Sequence, residues 1–451
     1  MMRPRTIDPK ALPPRMIVPA MLVILLPAVL NGFPLVYADT GTYLSSGMVP
    51  GIPADRPVTY GLFLRITTLN GLTLWGPAVV QALLAAVLLH RTWGAFTGDR
   101  SPLRFLASVT VLSMFSGLGW HAGRLMPDIF TPLAVLALLL LAHCRSSPGW
   151  RLFDAGVIAF ATAVHFGNEP ALLLILLLLL LLHARSPERS SIRRGVLTTA
   201  LAMVVGVASV VLVNWRVDGR PYFSRGAHVF LLGRTLDIGL LPDWLARHCA
   251  EQDNYLCPDH GPLPAHGNEL LWSPDGPVQR NGGWDAVRPE SEAVLRDVFA
   301  EPRSWAWFLG AGVRDAFRQL GYWDLGREMN DPWYREPDSS PYRAIALYFP
   351  SELPGYLDCR QVAGTLPMGL SGHMYQVLLG LSLVTLVVLL VHGGQDQRLL
   401  LVMVLGSVVI AAGVCAALAM PDQRFLARVS WLVPWGVMLV VARSSPLSST
   451  R

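Results

Sequence analysis

The stretch MIVPAMLVILLPAVLNGFPLVYADTGTYLSSG, residues 16–47, runs from an apolar segment straight into a polar one. About twenty consecutive apolar residues suffice to cross a bilayer, and the run from Met16 to Val36 reads as such a span. Arg3, Arg5, Lys10 and Arg15 precede it and no small-residue cleavage site follows, so it is expected to be a retained helix and not a removed signal peptide. Asp39, the single acid of this stretch, comes only three residues after the span, followed by Thr40, Thr42 and Tyr43. A carboxylate at the edge of a bilayer is either a helix cap or part of a site at headgroup depth.

Composition agrees with a membrane class. The chain of 451 residues is 52% hydrophobic and 15% charged, whereas soluble domains carry about 25% charge. Working outward from residue 16 gives about ten spans, at 16–36, 72–90, 104–119, 127–143, 152–168, 170–183, 196–214, 374–391, 399–419 and 429–442. The fold class expected is therefore an all-α polytopic membrane protein. Seven spans form an N-terminal module, residues 1–214, with a first outer loop at 37–71. A long polar region, 215–370, follows, and three spans make up the C-terminal module, 371–451.

Charge orients the spans, because cytoplasmic loops hold the excess of Lys and Arg. With both termini inside, HRTWGAFTGDRSPLR, CRSSPGWR, HARSPERSSIRR, HGGQDQR and the tail ARSSPLSSTR all face the cytoplasm, and each contains Arg. The short outward turns hold Arg56, Arg65, Arg124, Arg424 and Arg428. Region 215–370 holds 15 Arg against 21 acidic residues, leaving 21 basic against 10 acidic residues elsewhere. The net charge of +5 is thus an orientation signal, not a nucleic-acid footprint. The expected location is the inner membrane of a bacterium, multi-pass, with region 215–370 periplasmic.

Within that region, ESEAVLRDVFAEPRSWAWFLGAGVRDAFRQLG (290–321) reads as two helices broken at Pro302, and SWAWFLGAGVRDAF has an aromatic face suited to the membrane surface. The turn-rich stretch 250–290 is expected to be irregular, and the region as a whole to lean on the membrane module. Cys249 and Cys257, eight apart, are either a disulfide in an oxidising compartment or a free pair.

Acids recur at the outer leaflet. Asp39 opens the first outer loop; Asp128 lies in GWHAGRLMPDIF with His121 and Arg124; Glu169 lies in VHFGNEP four residues after His165; Asp422 and Arg424 lie in MPDQRFLAR. Charges at membrane depth usually face a bundle interior, so the set is expected to converge on one outward site. Capping accounts for Asp39 or Asp128 taken singly, and an i,i+4 contact for His165 with Glu169.

The segment YADTGTYL followed by DRPVTYGLFL resembles the first outer loop of the GT-C glycosyltransferases, which use polyprenyl-phosphate sugars and include the protein O-mannosyltransferases and the lipid A aminoarabinose transferases. Asp39 falls on the family's early acid and Arg56-Pro57 on its basic-Pro pair; Val58 stands where a second Pro is usual. Asp128 stands in the turn that holds the second acid, and Arg424-Phe425 is similar to the late Arg-aromatic pair. The resemblance covers residues 16–200 and 420–435. It implies a GT-C-like fold with Asp39 as general base and Asp128 supporting the acceptor or orienting the site. Arg56, Tyr43 and Arg424 would serve the donor phosphate, with His121, Arg124, His165 and Glu169 in support. It implies a polyprenyl-phosphate sugar donor, a lipid, glycan or protein acceptor, and contact with membrane lipids. No cofactor is required; metal dependence varies in the superfamily, and no tight acid pair here indicates a metal. The rival readings are a flippase or other transporter, which needs polar residues at mid-membrane and repeat symmetry, and a non-catalytic envelope-assembly subunit.

Overall fold

The computed structural model describes residues 5–6, 12–184 and 189–444. The expected cytoplasmic loop at 184–195 and the tail 442–451 lie partly outside the described residues. The chain is 74% helical, and its only ladder among the described residues is a parallel pairing of Arg5–Thr6 with Cys144–Arg145.

The first module comprises α1 (Ile17–Asn31), α2 (Thr40–Met48), α3 (Thr59–Thr67), α4 (Trp75–Phe96), α5 (Pro102–Phe115), α6 (Gly117–Ala122), α7 (Phe130–His143), α8 (Pro148–Val164), α9 (Asn168–Leu182) and α10 (Arg189–Asp218). Region 215–370, the outer region of the expected topology, follows as α11 (Ala227–Asp237), α12 (Leu240–His248), α13 (Gly267–Trp272), α14 (Pro277–Arg280), α15 (Arg288–Ala300), α16 (Pro302–Gln319), α17 (Ser340–Tyr348) and α18 (Leu353–Asp358). The last module holds α19 (Met368–His392), α20 (Gln395–Leu418), α21 (Gln423–Ser430) and α22 (Leu432–Ser444).

Six segments are long and apolar enough to cross a membrane: Pro14–Asn31, Trp75–Phe96, Ile192–Asp218, Met368–His392, Gln395–Leu418 and Gln423–Arg443. Three shorter apolar ones, Pro102–Phe115, Pro127–His143 and Asn168–Leu182, stand beside them. At 1.5 Å per residue these reach only about 21–26 Å, against a hydrocarbon core of about 30 Å. Local chemistry shortens them. Ser116 is extended and its hydroxyl accepts from the Leu118 amide, which ends α5 and starts α6. His165 is extended (φ −152°, ψ 118°) and separates α8 from α9. α1 stops at Gly32, whose φ of +85° is a left-handed helix end.

α7 is the axis of the bundle. All its residues from Phe130 to His143 are buried, against α4, α8 and α10. Two close backbone approaches position the helix ends around Asp39 and Asp128. A Cβ on Gly47 would fall 2.2 Å from the Gly61 carbonyl oxygen, so α2 and α3 touch main chain to main chain. One on Gly117 would fall 2.1 Å from the Ala427 oxygen, which seats α21 directly against α6.

The outer region divides in two. Residues between Val229 and Ala311 enclose a separate core around Leu232, Leu241, Trp244, Leu270 and Val298. Residues from Leu325 to Leu366 instead join the core of the membrane module through Met329, Tyr334, Ile345 and Tyr356. The second half fits the expectation of a cap leaning on the bundle; the first half has its own core and leans on the bundle through α16, which packs along α20. The break at Pro302 is as read from the sequence, and the turn-rich stretch 250–290 holds only short helical pieces, α13 and α14 among them.

Cys249 and Cys257 form a disulfide at the C-terminal end of α12, with Cα atoms 5.7 Å apart. Cys144, Cys359 and Cys415 are free and buried. Thiol titration of the denatured, unreduced protein should therefore find three thiols and not five. Reduction should destabilise the first half of the outer region by about 2–3 kcal/mol, the loop-closure value for a short ring, read as faster proteolysis between 240 and 265.

Candidate active site

The segment after α1 is pinned to the turn before α7 by main-chain bonds. The Leu35 amide donates to the Gly123 carbonyl (2.9 Å) and the Leu125 amide to the Leu35 carbonyl (2.8 Å). Gln361, at the end of the outer region, clamps the same loop by bonding both the amide and the carbonyl of Val36, at 2.9 Å each. Together these hold Asp39, Arg124 and Asp128 in one neighbourhood.

Asp39 occupies the N-cap position of α2, yet its side chain makes no capping bond. It is instead gripped by two guanidiniums, Arg56 Nη2 at 3.1 Å and Arg424 Nη1 at 3.3 Å. Asp128 likewise caps nothing; Arg428 Nη1 donates to it at 3.0 Å. Capping therefore explains neither acid. Arg56 also binds Asp55 through Nε at 2.7 Å and lies 4.8 Å above the centroid of the Tyr43 ring. Arg424 lies 4.5 Å over the Tyr37 ring, and Asp422 caps α21 by accepting from the Arg424 amide.

The cluster is graded in depth. Asp39 is the most open member, with 31% of its side chain exposed, against 13% for Arg424 and 10% for Arg56. Arg428 and Asp128 behind them are 0% and 1% exposed. His165 Nε2 lies 3.3 Å from Arg428 Nη1, and Arg428 Nη2 donates to Cys415 Sγ at 2.8 Å. For Asp39, burial works to raise the pKa, but the charges and hydrogen bonds of Arg56 and Arg424 outweigh it and hold it below the ordinary carboxylate value. The carboxylate at the mouth is thus ionised at neutral pH.

Several donors in this cluster are unspent. Arg124 is 1% exposed and donates only to the thioether of Met329, at 2.7 Å. Its Nε and Nη1, with Nε of Arg424 and Nε of Arg428, are buried without hydrogen-bond partners among the described residues. Both ring nitrogens of fully buried His121 are in the same condition. An unmet buried donor costs about 1–3 kcal/mol, so four such guanidinium positions in one cluster suit an anionic ligand or ordered water. A shallow depression of about 380 Å³ beside Pro421 is lined by Arg318, Gly321 and Tyr322, and none of the cluster side chains lines it.

The structure therefore brings together Asp39, Arg56, Tyr43, Arg424, Asp128 and His165, with Arg124 and His121 buried alongside. Glu169 stands apart: both its carboxylate oxygens are buried without a partner, and the extended His165 prevents an i,i+4 contact. Arg428, Asp55 and Tyr37 are members that the sequence reading did not assign to the site. The signal for Arg428 was its spacing of four from Arg424, which puts both on one face of α21. Among the described residues, no group of three or more His, Cys, Asp and Glu side chains is arranged to hold a metal ion.

No family model, no curated protein and no solved structure matches this chain.

Proposed function

We propose that this protein is a GT-C-type membrane glycosyltransferase with ten spans, both termini cytoplasmic and the region 215–370 on the outer face of a bacterial inner membrane. It would move a sugar from a polyprenyl-phosphate donor to a lipid, glycan or protein acceptor. The observation that carries the reading is Asp39, a partly exposed carboxylate held between Arg56 and Arg424 at the outward end of the bundle. In support, α7 below the cluster is buried and apolar from Leu133 to Ala142. That favours a one-sided site over a carrier path.

The chemistry follows from the placement. The donor phosphate takes up the donors of Arg56 and Arg424, which loosens their hold on Asp39 and raises its basicity. As the acceptor hydroxyl attacks the anomeric carbon, the bond from that carbon to the phosphate oxygen breaks. The hydroxyl proton passes to Asp39 and from there to solvent, and the polyprenyl phosphate leaves as an anion neutralised by the two arginines. Asp128 is enclosed, so its part is to hold Arg428 in place and not to touch the acceptor.

Mass spectrometry of surface glycans and glycolipids, with and without the gene, tests the reading. A sugar modification should vanish on deletion and return with the wild-type gene; unchanged glycans would reject it. Arg56→Ala should weaken donor binding by about 1.5–3 kcal/mol through loss of a charge-assisted bond. Titration of the purified protein with a short-chain polyprenyl-phosphate sugar reads this directly, and undiminished affinity would remove Arg56 from the phosphate site.

A further inference from the structure

α16 has three distinct faces. Ser304, Ala311, Gly312, Asp315 and Gln319 are buried against protein. Opposite them Trp305, Leu309, Val313 and Phe317 are 52%, 62%, 58% and 72% exposed. Steps of four advance about 40° around a helix of 3.6 residues per turn, so these four sweep roughly 120°. Between the two faces run Arg303, Arg314 and Arg318, each more than half exposed. No acid interrupts the apolar sector, and the bordering charges are all basic.

The packing partners of α16 fix its depth. A Cβ on Gly312 would lie 3.3 Å from the Ala417 Cβ, and one on Gly413 3.1 Å from the Ala316 Cβ. α16 thus runs antiparallel along the last turns of α20, and its C-terminal half is level with a point five residues, about 7.5 Å, inside the end of that helix. Gln319 bonds the main chain of Asp422 in both directions, at 2.8 and 2.9 Å. Just beyond, Gln376 of α19 donates to the Trp323 carbonyl at 2.8 Å. The end of α16 therefore lies beside the interiors of two helices long enough to span, and its exposed apolar sector continues their outward surface, which on α19 carries Val377, Leu381, Val384 and Val388.

We propose that the C-terminal half of α16 is seated in the outer leaflet, with Val313 and Phe317 against acyl chains, Leu309 and Trp305 rising to the headgroups, and Arg314 and Arg318 reaching up to the lipid phosphates. Trp and Phe on one face with Arg on the flank is the composition of interfacial helices, and long Arg side chains reach up to headgroups from below. The first half of the outer region, tied to α16 by the buried ion pair of Arg234 with Asp315 (2.7 Å), would then be anchored to the membrane at this edge. The occupant of the face is lipid, not a protein partner.

Spin labels on Val313→Cys and Phe317→Cys, in the full chain reconstituted into nanodiscs of phosphatidylethanolamine and phosphatidylglycerol, test this. The control is Asp297→Cys on exposed α15. Collisions with oxygen relative to a water-soluble nickel complex should rise by about fivefold or more over the control, as for side chains buried in the acyl boundary. A ratio equal to the control would make α16 a solvent-facing helix and overturn the proposal. So would poor access to both reagents, which would mean that protein covers the face.

Discussion

Asp39→Asn should lower sugar transfer by about 10²–10⁴-fold, the loss expected when a positioned proton acceptor is removed, while leaving the fold intact. The asparagine keeps the size of the side chain, but its single oxygen can accept from only one of Arg56 and Arg424, which bond separate oxygens of Asp39. Arg56 retains Asp55, but the nearly buried Arg424 loses its ionised partner, so the protein should be destabilised by about 1–3 kcal/mol, the cost of a buried donor left poorly matched. Transfer from a synthetic polyprenyl-phosphate sugar, measured beside thermal unfolding in detergent, separates the two effects. Full transfer by a folded Asp39→Asn protein would reduce the residue to an ion-pair partner and favour the transporter reading. The pH dependence has a definite sign. The folded pKa of Asp39 lies below its unfolded value, so its contribution to stability is present above the ordinary carboxylate pKa of about 3.9 and is lost as pH falls through the lower folded value. Between pH 5 and 7 the free protein should therefore show no loss of stability from this group.

Asp128→Ala should behave in the opposite way, destabilising the protein by about 3–5 kcal/mol. Its partner Arg428 is fully enclosed and its remaining contacts are a cysteine sulfur, a histidine nitrogen and the Phe425 ring, none of which carries a negative charge. A stranded buried guanidinium is the reason for the size of the effect. Replacing both partners, as Asp128→Ala with Arg428→Met, should recover most of the loss, because removing a buried pair together costs far less than removing one member. An Asp128→Ala protein that unfolds at the wild-type temperature would show that this pair does not hold α21 in place.

These two acids look alike on paper. Each follows an apolar run or a proline at an outer helix start, and each is explained as well by capping as by a site. Hydropathy is a local property, so the long apolar helices and the break at Pro302 are legible along the chain. The ends of α5 at Ser116 and of α8 at His165 are less so, because an apolar window does not register a single extended residue.

Local residue patterns fix which segments are apolar helices and which short turns carry charge. Tertiary structure decided how those charges are spent. Asp39 meets Arg424 across 385 positions and Asp128 meets Arg428 across 300. Those pairings with α21 depend on Gly117, which lets α21 lie on α6, and Asp39 reaches Arg56 because Gly47 and Gly61 bring α2 onto α3. The same packing leaves Glu169 without His165 and spends one donor of Arg124 on a thioether. Close approach of helices far apart in the chain is a property of the whole bundle, and no local pattern of residues encodes which carboxylate will face which guanidinium.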